Sequence, residues 1–162
     1  MAQLREVRGE PRSEEKQPVD VNDLVEKVLL LAHKRADTAG VHISWERVEA
    51  LPHPSIMVDS MQQVFLNLVL NAIEAMEGRG CLTVRVRHIH QPERLGIIFA
   101  DDGPGIPPEV LEVLFEPFNT TKARGSGLGL FISQNIVQQN GGSIDVETLP
   151  GRGTSFTVWL PL

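Results

Sequence analysis

Two asparagines lie four residues apart in an otherwise apolar stretch, residues 64–72, whose sequence is VFLNLVLNA. A spacing of four places both side chains on one face of a helix. The pattern therefore predicts a largely buried helix with one polar stripe that contains Asn67 and Asn71. Asparagine costs a helix interior roughly 0.5 kcal/mol or more relative to alanine, so its presence needs a reason. One reason is a solvated face, and the other is an amide oxygen that ligates a phosphate-bound Mg²⁺ ion.

An acidic residue closes the apolar run 95–100, and two glycines follow at alternate positions in DDGPGIP, residues 101–107. A simple tight turn accounts for this pattern. A nucleotide site accounts for it equally well, because the Asp101 carboxylate can accept a hydrogen bond from the amino group of adenine. Gly103 and Gly105 would then let the base lie against the backbone. The motif alone leaves both interpretations open.

A glycine-rich segment, GSGLGL at residues 125–130, leads into another helical stretch. Free backbone amides at such a helix start can bind phosphate oxygens, and Lys122 and Arg124 add positive charge nearby. The segment matches neither the phosphate-loop pattern nor the dinucleotide fingerprint that follows a strand. A flexible hinge is therefore the alternative.

The order of the predicted elements defines the fold class. Helices are predicted at about residues 21–38, 61–76, 108–114 and 127–140, and strands at about 41–47, 56–58, 82–89, 95–100, 143–148 and 154–160. This order predicts an α+β sandwich with helices packed on one face of a single sheet, and it disfavours a doubly wound fold.

Two details of the helices are also predicted. Asp20 or Asn22 is expected to cap the first helix, with Gly40 ending it, and its core face is expected to contain Leu24, Val28, Leu31 and Ala32. Ser60 and Gln63 have the spacing of a capping box for the second helix.

Charge and composition exclude several classes of protein. The net charge of −6 and the pI near 5.3 argue against a nucleic-acid binder, which needs a basic surface. Cys81 is the single cysteine and cannot form an internal disulfide, which fits a reducing cytoplasm. The longest apolar run that contains no glycine, residues 28–32, is far shorter than the roughly 20 residues that a bilayer requires.

Taken in order, the motifs resemble those of the sensor histidine kinase catalytic domain, whose superfamily includes gyrase, heat-shock chaperone and mismatch-repair ATPases. NLVLNA (67–72) resembles its asparagine box, DDGPGI (101–106) its first glycine box, FEPFNTTK (115–122) its phenylalanine box and GSGLGL (125–130) its second glycine box. The ending, from GSI (142–144) through GRGTSF (151–156), is also similar. The resemblance covers residues 18–162 and implies a two-layer α+β sandwich, a mixed sheet with three helices on one face.

The resemblance implies ATP and Mg²⁺ as cofactors. It implies Asn71 as the metal ligand, Asp101 as the adenine acceptor, and Asn67 and Lys122 as catalytic residues that also contact the nucleotide. The other nucleotide-binding residues that it implies are Gly103, Gly105, Ile106, Gly125, Ser126, Gly127, Leu128, Gly129 and Thr154. Glu74 stands where many family members have lysine. This feature, with a lid of only a few residues between Phe118 and Gly125, resembles the nitrogen-regulation branch.

The phosphate-accepting histidine of such kinases precedes an acidic residue on a separate helical hairpin. None of the five histidines here has that neighbour, so all five are expected to be structural or surface residues. Residues 1–17 are expected to be a linker or the tail of that dimerisation hairpin, and 18–162 the catalytic domain. The expected partners are the hairpin and a response regulator, with no nucleic acid or membrane contact by this domain, in the cytoplasm.

Three other functions are alternatives to a histidine kinase. A conformational ATPase of the superfamily hydrolyses ATP, a serine kinase of the anti-sigma-factor kind phosphorylates a partner, and a nucleotide sensor only binds. The superfamily's hydrolases have glutamate where Asn67 stands. The Thr120-Thr121-Lys122 box and the ending from Gly151 to Phe156 favour the histidine kinase over the serine kinase.

Overall fold

A five-stranded sheet organises the chain in the computed structural model, which describes residues 14–76, 78–117 and 129–162. The strands are β1 (Gln17–Pro18), β2 (Val41–Trp45), β3 (Ser55–Ile56), β4 (Gly80–His90), β5 (Glu93–Asp101), β6 (Ser143–Leu149) and β7 (Gly153–Pro161). The helices are α1 (Val21–Ala39), α2 (Val58–Ala75), α3 (Pro108–Leu111) and α4 (Gly129–Gln139). Within this described part, no helix has both the length and the apolar character to cross a membrane.

The large sheet has the strand order β2-β4-β5-β7-β6. Strand β2 runs parallel to β4, and the other neighbouring pairs are antiparallel, so the sheet is mixed. Strands β1 and β3 form a separate antiparallel pair. The predicted α+β fold is confirmed. The described residues contain three long helices, α1, α2 and α4, and the short helix α3.

Alternation along the central hairpin explains why the helices cover one face. On β4 the side chains of Leu82, Val84 and Val86 are buried, whereas those of Arg85 and Arg87 are exposed. Successive residues of a strand point to opposite faces, so the buried set forms one apolar surface. Helix residues such as Phe65 and Val28 join the same core as these strand residues.

Helix α1 confirms the predicted boundaries and corrects one core residue. Asp20 Oδ1 accepts a hydrogen bond of 2.9 Å from the backbone N–H of Asn22, and Gly40 ends the helix with a φ of 73°. Leu31, predicted on the core face, is 53% exposed. The buried stripe passes through Val28 and Ala32, and one residue along a helix turns the side chain by about 100° away from it.

Helix α2 begins earlier than the sequence predicts. It starts at Val58, with Met57 at the N-cap, so Ser60 lies inside the first turn and the predicted capping box is wrong. Glu14, distant in sequence, supplies the cap instead. Its carboxylate accepts from the N–H of Asp59 at 2.6 Å, the N–H of Ser60 at 3.1 Å and the hydroxyl of Ser60 at 2.5 Å.

Candidate functional site

The polar face of α2 meets the start of α4. Asn67 Nδ2 donates a hydrogen bond of 3.2 Å to Ser133 Oγ, and the Ser133 side chain is buried. A Cβ atom placed on Gly129 would lie 2.8 Å from Asn67 Oδ1, so α4 begins directly against this carboxamide. Asn71 lies one turn further along α2 and is also half-buried. The solvated-face interpretation therefore fails for Asn67, which packs against a second helix.

Asp101 ends β5, as predicted. Its Oδ1 accepts hydrogen bonds from the backbone N–H of Gly103 at 2.9 Å and from that of Thr154 at 3.2 Å. In the described ranges, no donor reaches its other oxygen, Oδ2. Burial raises the pKa of Asp101, and although the two backbone N–H groups oppose this, the neighbouring carboxylate of Asp102 adds to the rise. The half-buried carboxylate thus keeps one oxygen for a further donor.

Two threonines on the last hairpin hold the loop that follows Asp101. Thr148 Oγ1 accepts a hydrogen bond of 2.8 Å from the N–H of Ile106 and lies 3.0 Å from Thr154 Oγ1. Thr148 and Thr154 are paired across β6 and β7. Thr154 is among the site residues predicted from the sequence, and Thr148 is not. A symmetric pairing of strands about the turn at residues 149–153 would have placed Thr148 opposite Thr154.

The two glycines of this loop lie in close contact with neighbouring backbone. Gly105 has a φ of +85°, and a Cβ atom there would lie 2.6 Å from the carbonyl oxygen of Leu149. A Cβ atom on Gly103 would lie 3.3 Å from the carbonyl oxygen of Ala75, at the end of α2. Gly103 therefore brings the loop of Asp101 against the end of α2, and Gly105 combines a left-handed backbone conformation with no room for a side chain.

Most of the remaining predicted site residues lie outside the described part of the chain, whereas Glu74 lies within it. Lys122, Gly125, Ser126, Gly127 and Leu128 lie outside the described residues, as does the predicted lid segment from residue 118 onward. Glu74 is described, and its carboxylate lies 3.8 Å from the guanidinium of Arg35 on α1.

Phe115, the first residue of the segment that resembles the phenylalanine box, is part of the packed structure. Its ring lies edge-on to that of Phe156, with 6.5 Å between the centroids. The contact fixes the end of the α3 segment against β7.

Comparison with known proteins identifies the family. A sequence model described as "Histidine kinase-, DNA gyrase B-, and HSP90-like ATPase" matches residues 57–162. The chain belongs to this ATPase family. Sensor histidine kinase ZraS of Salmonella typhi is 40% identical over 146 residues, which are 90% of this chain and 31% of that protein. The chain thus spans about a third of the length of this relative.

Solved structures of the family agree with the fold. The catalytic domain of histidine kinase ThkA has a TM-score of 0.81 and 30% identity, with 91% of this chain and 95% of that one covered. ThkA has also been solved in complex with the response regulator protein TrrA, with a TM-score of 0.76, 27% identity and coverage of 90% and 41%. Full-length ShkA in complex with AMPPNP has a TM-score of 0.81 and 29% identity, with 93% and 32% covered.

Family membership implies ATP as the nucleotide, and the predicted resemblance to histidine kinase catalytic domains is confirmed. The described side chains offer metal-ligating oxygens and a hydrogen-bond acceptor whose chemistry suits Mg-ATP. Carboxamide oxygens are hard neutral ligands that suit Mg²⁺, and the carboxylate of Asp101 suits an amino group. The individual residue roles and the metal remain predictions.

Proposed function

We propose that this chain is the ATP-binding catalytic domain of a two-component sensor histidine kinase. In this proposal it donates the terminal phosphate of Mg-ATP to a histidine on a separate dimerisation hairpin. One observation carries the proposal: the loop after Asp101 packs on the end of α2, while the asparagine face of α2 packs on the start of α4. The candidate adenine acceptor on β5 is thus linked through its loop to α2, the helix that carries the candidate phosphate and metal ligands.

Adenine recognition rests on Asp101. Its Oδ1 is held by the N–H groups of Gly103 and Thr154, which fixes the orientation of the carboxylate before any ligand arrives. Its Oδ2 accepts a hydrogen bond from the exocyclic amino group of adenine. The half-buried position strengthens this hydrogen bond, because a low local dielectric screens it less than water does.

Phosphate binding rests on α2 and on the segment that precedes α4. Asn71 supplies its carboxamide oxygen to the Mg²⁺ ion, whose charge offsets that of the phosphates. Asn67 lies beside Gly129, at the N-terminus of α4, where backbone N–H groups and the helix dipole favour anions. Lys122 and residues 125–128 complete the phosphate site in this proposal.

The chemistry follows from what these residues are able to do. In the transfer, an imidazole nitrogen of the hairpin forms a bond to the terminal phosphorus, the bond from that phosphorus to the bridging oxygen breaks, and ADP leaves. The domain positions the nucleotide and stabilises charge. A carboxamide at residue 67 takes no proton from water, which favours transfer to histidine over the conformational ATPase alternative.

The downstream partner is proposed to be a response regulator. The support is that ThkA, a kinase with the same fold and 27% identity, has been solved with one. The phosphorylated histidine of the hairpin would pass its phosphate to that partner.

Titration calorimetry with ATP and Mg²⁺ tests the nucleotide site. Asp101→Asn keeps an acceptor at Oδ1 but replaces Oδ2 with an amide donor, so the affinity should fall by about 10-fold or more, as for loss of a charge-assisted hydrogen bond. The matched control is Asp102→Asn, because Asp102 Oδ1 instead accepts from the N–H of Cys81 at 2.9 Å. Equal ATP affinity in the wild type and Asp101→Asn would refute the adenine assignment.

A further inference from the structure

A second group of polar side chains lies at the turn of the β4–β5 hairpin. His88 Nε2 lies 3.1 Å from Glu93 Oε1, and His90 Nδ1 lies 3.3 Å from Glu93 Oε2. The two imidazole rings are 4.1 Å apart between centroids. Potential ligand atoms of all three residues lie within 4.8 Å of one another.

Strand pairing holds these three residues together. His88 and His90 are two positions apart on β4, so their side chains leave the same face of the sheet. Glu93 is the direct antiparallel partner of His90, and His88 is paired with Leu95. Side chains directly opposite each other in such a pair have Cβ atoms about 4.5–5.5 Å apart. The register of the hairpin therefore places the backbone of the three residues side by side.

The separations fit a tetrahedral metal ion. Zinc–nitrogen and zinc–oxygen bonds of about 2.0–2.2 Å place neighbouring ligands of a tetrahedron roughly 3.3–3.6 Å apart. His88 lies 3.1 Å from one carboxylate oxygen of Glu93 and His90 lies 3.3 Å from the other. With one ligand atom taken from each residue, all three atoms lie within 4.8 Å of one another, so side-chain rotations bring them to these separations. Two imidazoles and one carboxylate are ligands that zinc accepts, whereas Mg²⁺ prefers oxygen alone.

The cluster is accessible and separate from the nucleotide site. The side chains of His88, His90 and Glu93 are 23%, 74% and 51% exposed. Strand β2 pairs with β4 only over the five residues Gly80 to Val84, so it does not reach this end of the hairpin. Glu93 and Asp101 lie at opposite ends of β5, about 27 Å apart at roughly 3.4 Å per residue.

We propose that His88, His90 and Glu93 form a zinc-binding site, with the fourth position open to water or to a ligand atom of another molecule. The histidines bind in their neutral form and Glu93 binds as a carboxylate. This site does not depend on the proposed kinase function, because it lies outside the nucleotide site.

Titration of the untagged chain with zinc chloride, without nucleotide, tests the proposal. We expect one zinc ion per chain, and an affinity lower by about 10-fold or more in each of His88→Ala, His90→Ala and Glu93→Gln. Magnesium chloride should produce no binding at this site. The matched control is His33→Ala, which removes an exposed histidine that lies 3.3 Å from Asp37 on α1 and should leave zinc affinity unchanged.

Imidazole resonances give a second readout that does not depend on heats of binding. Zinc should shift the side-chain signals of His88 and His90 and leave those of His33, His42 and His53 in place. His90 is largely exposed, so His90→Ala should unfold at the wild-type temperature and separate loss of a ligand from loss of the fold. The proposal is overturned if zinc does not bind, if the three variants bind it as the wild type does, or if His33→Ala removes binding.

Discussion

Asn67 on α2 and Ser133 on α4 are joined by a hydrogen bond of 3.2 Å from the carboxamide nitrogen to the hydroxyl oxygen. The same carboxamide lies against Gly129, the first residue of α4. Its position therefore depends on how α4 docks on α2. In the proposed function, this contact sets where Asn67 stands relative to the phosphates.

A side chain at residue 129 should displace Asn67. In Gly129→Ala the new Cβ atom would lie 2.8 Å from Asn67 Oδ1, so the carboxamide must shift. We expect ATP affinity, measured by calorimetry with Mg²⁺, to fall by about 10-fold, because a misplaced polar partner is lost from the site. The control Asn135→Ala changes an exposed residue of the same helix and should bind ATP normally. Wild-type affinity in Gly129→Ala would show that the Asn67 position does not matter for binding.

Asp101→Asn should bind ATP weakly and yet be at least as stable as the wild type at neutral pH. Burial raises the pKa of Asp101, so the folded state holds the proton more firmly than the unfolded state does. Ionisation therefore destabilises the fold above the folded pKa, and this effect disappears as the pH falls below the ordinary value of 3.8. Denaturant unfolding at pH 7 and at pH 4 should show the advantage of the variant shrinking toward acid. A stability advantage of Asp101→Asn over the wild type that is smaller at pH 7 than at pH 4 would contradict this.

Glu14→Gln should destabilise the domain by removing the charged cap of α2. Burial opposes the charged form, but hydrogen bonds from the Ser60 hydroxyl and from the N–H groups of Asp59 and Ser60 outweigh it and lower the pKa of Glu14. The stabilisation is therefore present above the ordinary pKa of 4.5 and is lost as the pH falls through the lower folded value. We expect a loss of about 1 kcal/mol or less at neutral pH, because solvent screens the site.

Thermal unfolding at neutral pH measures the effect of the Glu14 cap. The control Glu15→Gln alters the neighbouring exposed carboxylate and should unfold as the wild type does. Equal stability of Glu14→Gln and Glu15→Gln would mean that the cap contributes nothing.

ATP hydrolysis by this chain alone should be very slow. Asn67 stands where the hydrolases of the superfamily have a general base, and a carboxamide takes no proton from the attacking water. A general base contributes typically about 10² to 10⁴ in rate. In a coupled phosphate-release assay, turnover of about one per second or faster would instead support the conformational ATPase.

Local patterns predicted most of the fold. Alternation at Leu82, Val84 and Val86 located β4, and Asp20 and Gly40 marked both ends of α1, because these signals depend only on neighbouring residues. The cap of α2 could not be predicted, since Glu14 lies 46 positions from Ser60. Leu31 was misplaced because its apolar side chain, like that of Leu30, lies outside the stripe of Val28 and Ala32 that the fold buries.

In the site as well, local patterns predicted some features, whereas contacts between distant residues could not be predicted. Asp101 at a strand end was visible in the sequence, whereas its hydrogen bond to the N–H of Thr154 joins residues 53 positions apart. The contact between Asn67 and Ser133 spans 66 positions, and no local pattern reports it. Sequence motifs thus named candidate residues, and tertiary packing decided which of them touch.

Phosphate transfer to a separate hairpin tests the central claim most directly. The chain is incubated with γ-labelled ATP and Mg²⁺, alone and with a histidine-bearing dimerisation hairpin of a sensor histidine kinase, and the same hairpin without the acceptor histidine is the control. We predict acid-labile label on the hairpin histidine, none on the histidine-free hairpin, and none on this chain. Acid-labile label on the chain's own histidines, or ATP consumption without any labelled hairpin, would contradict the account.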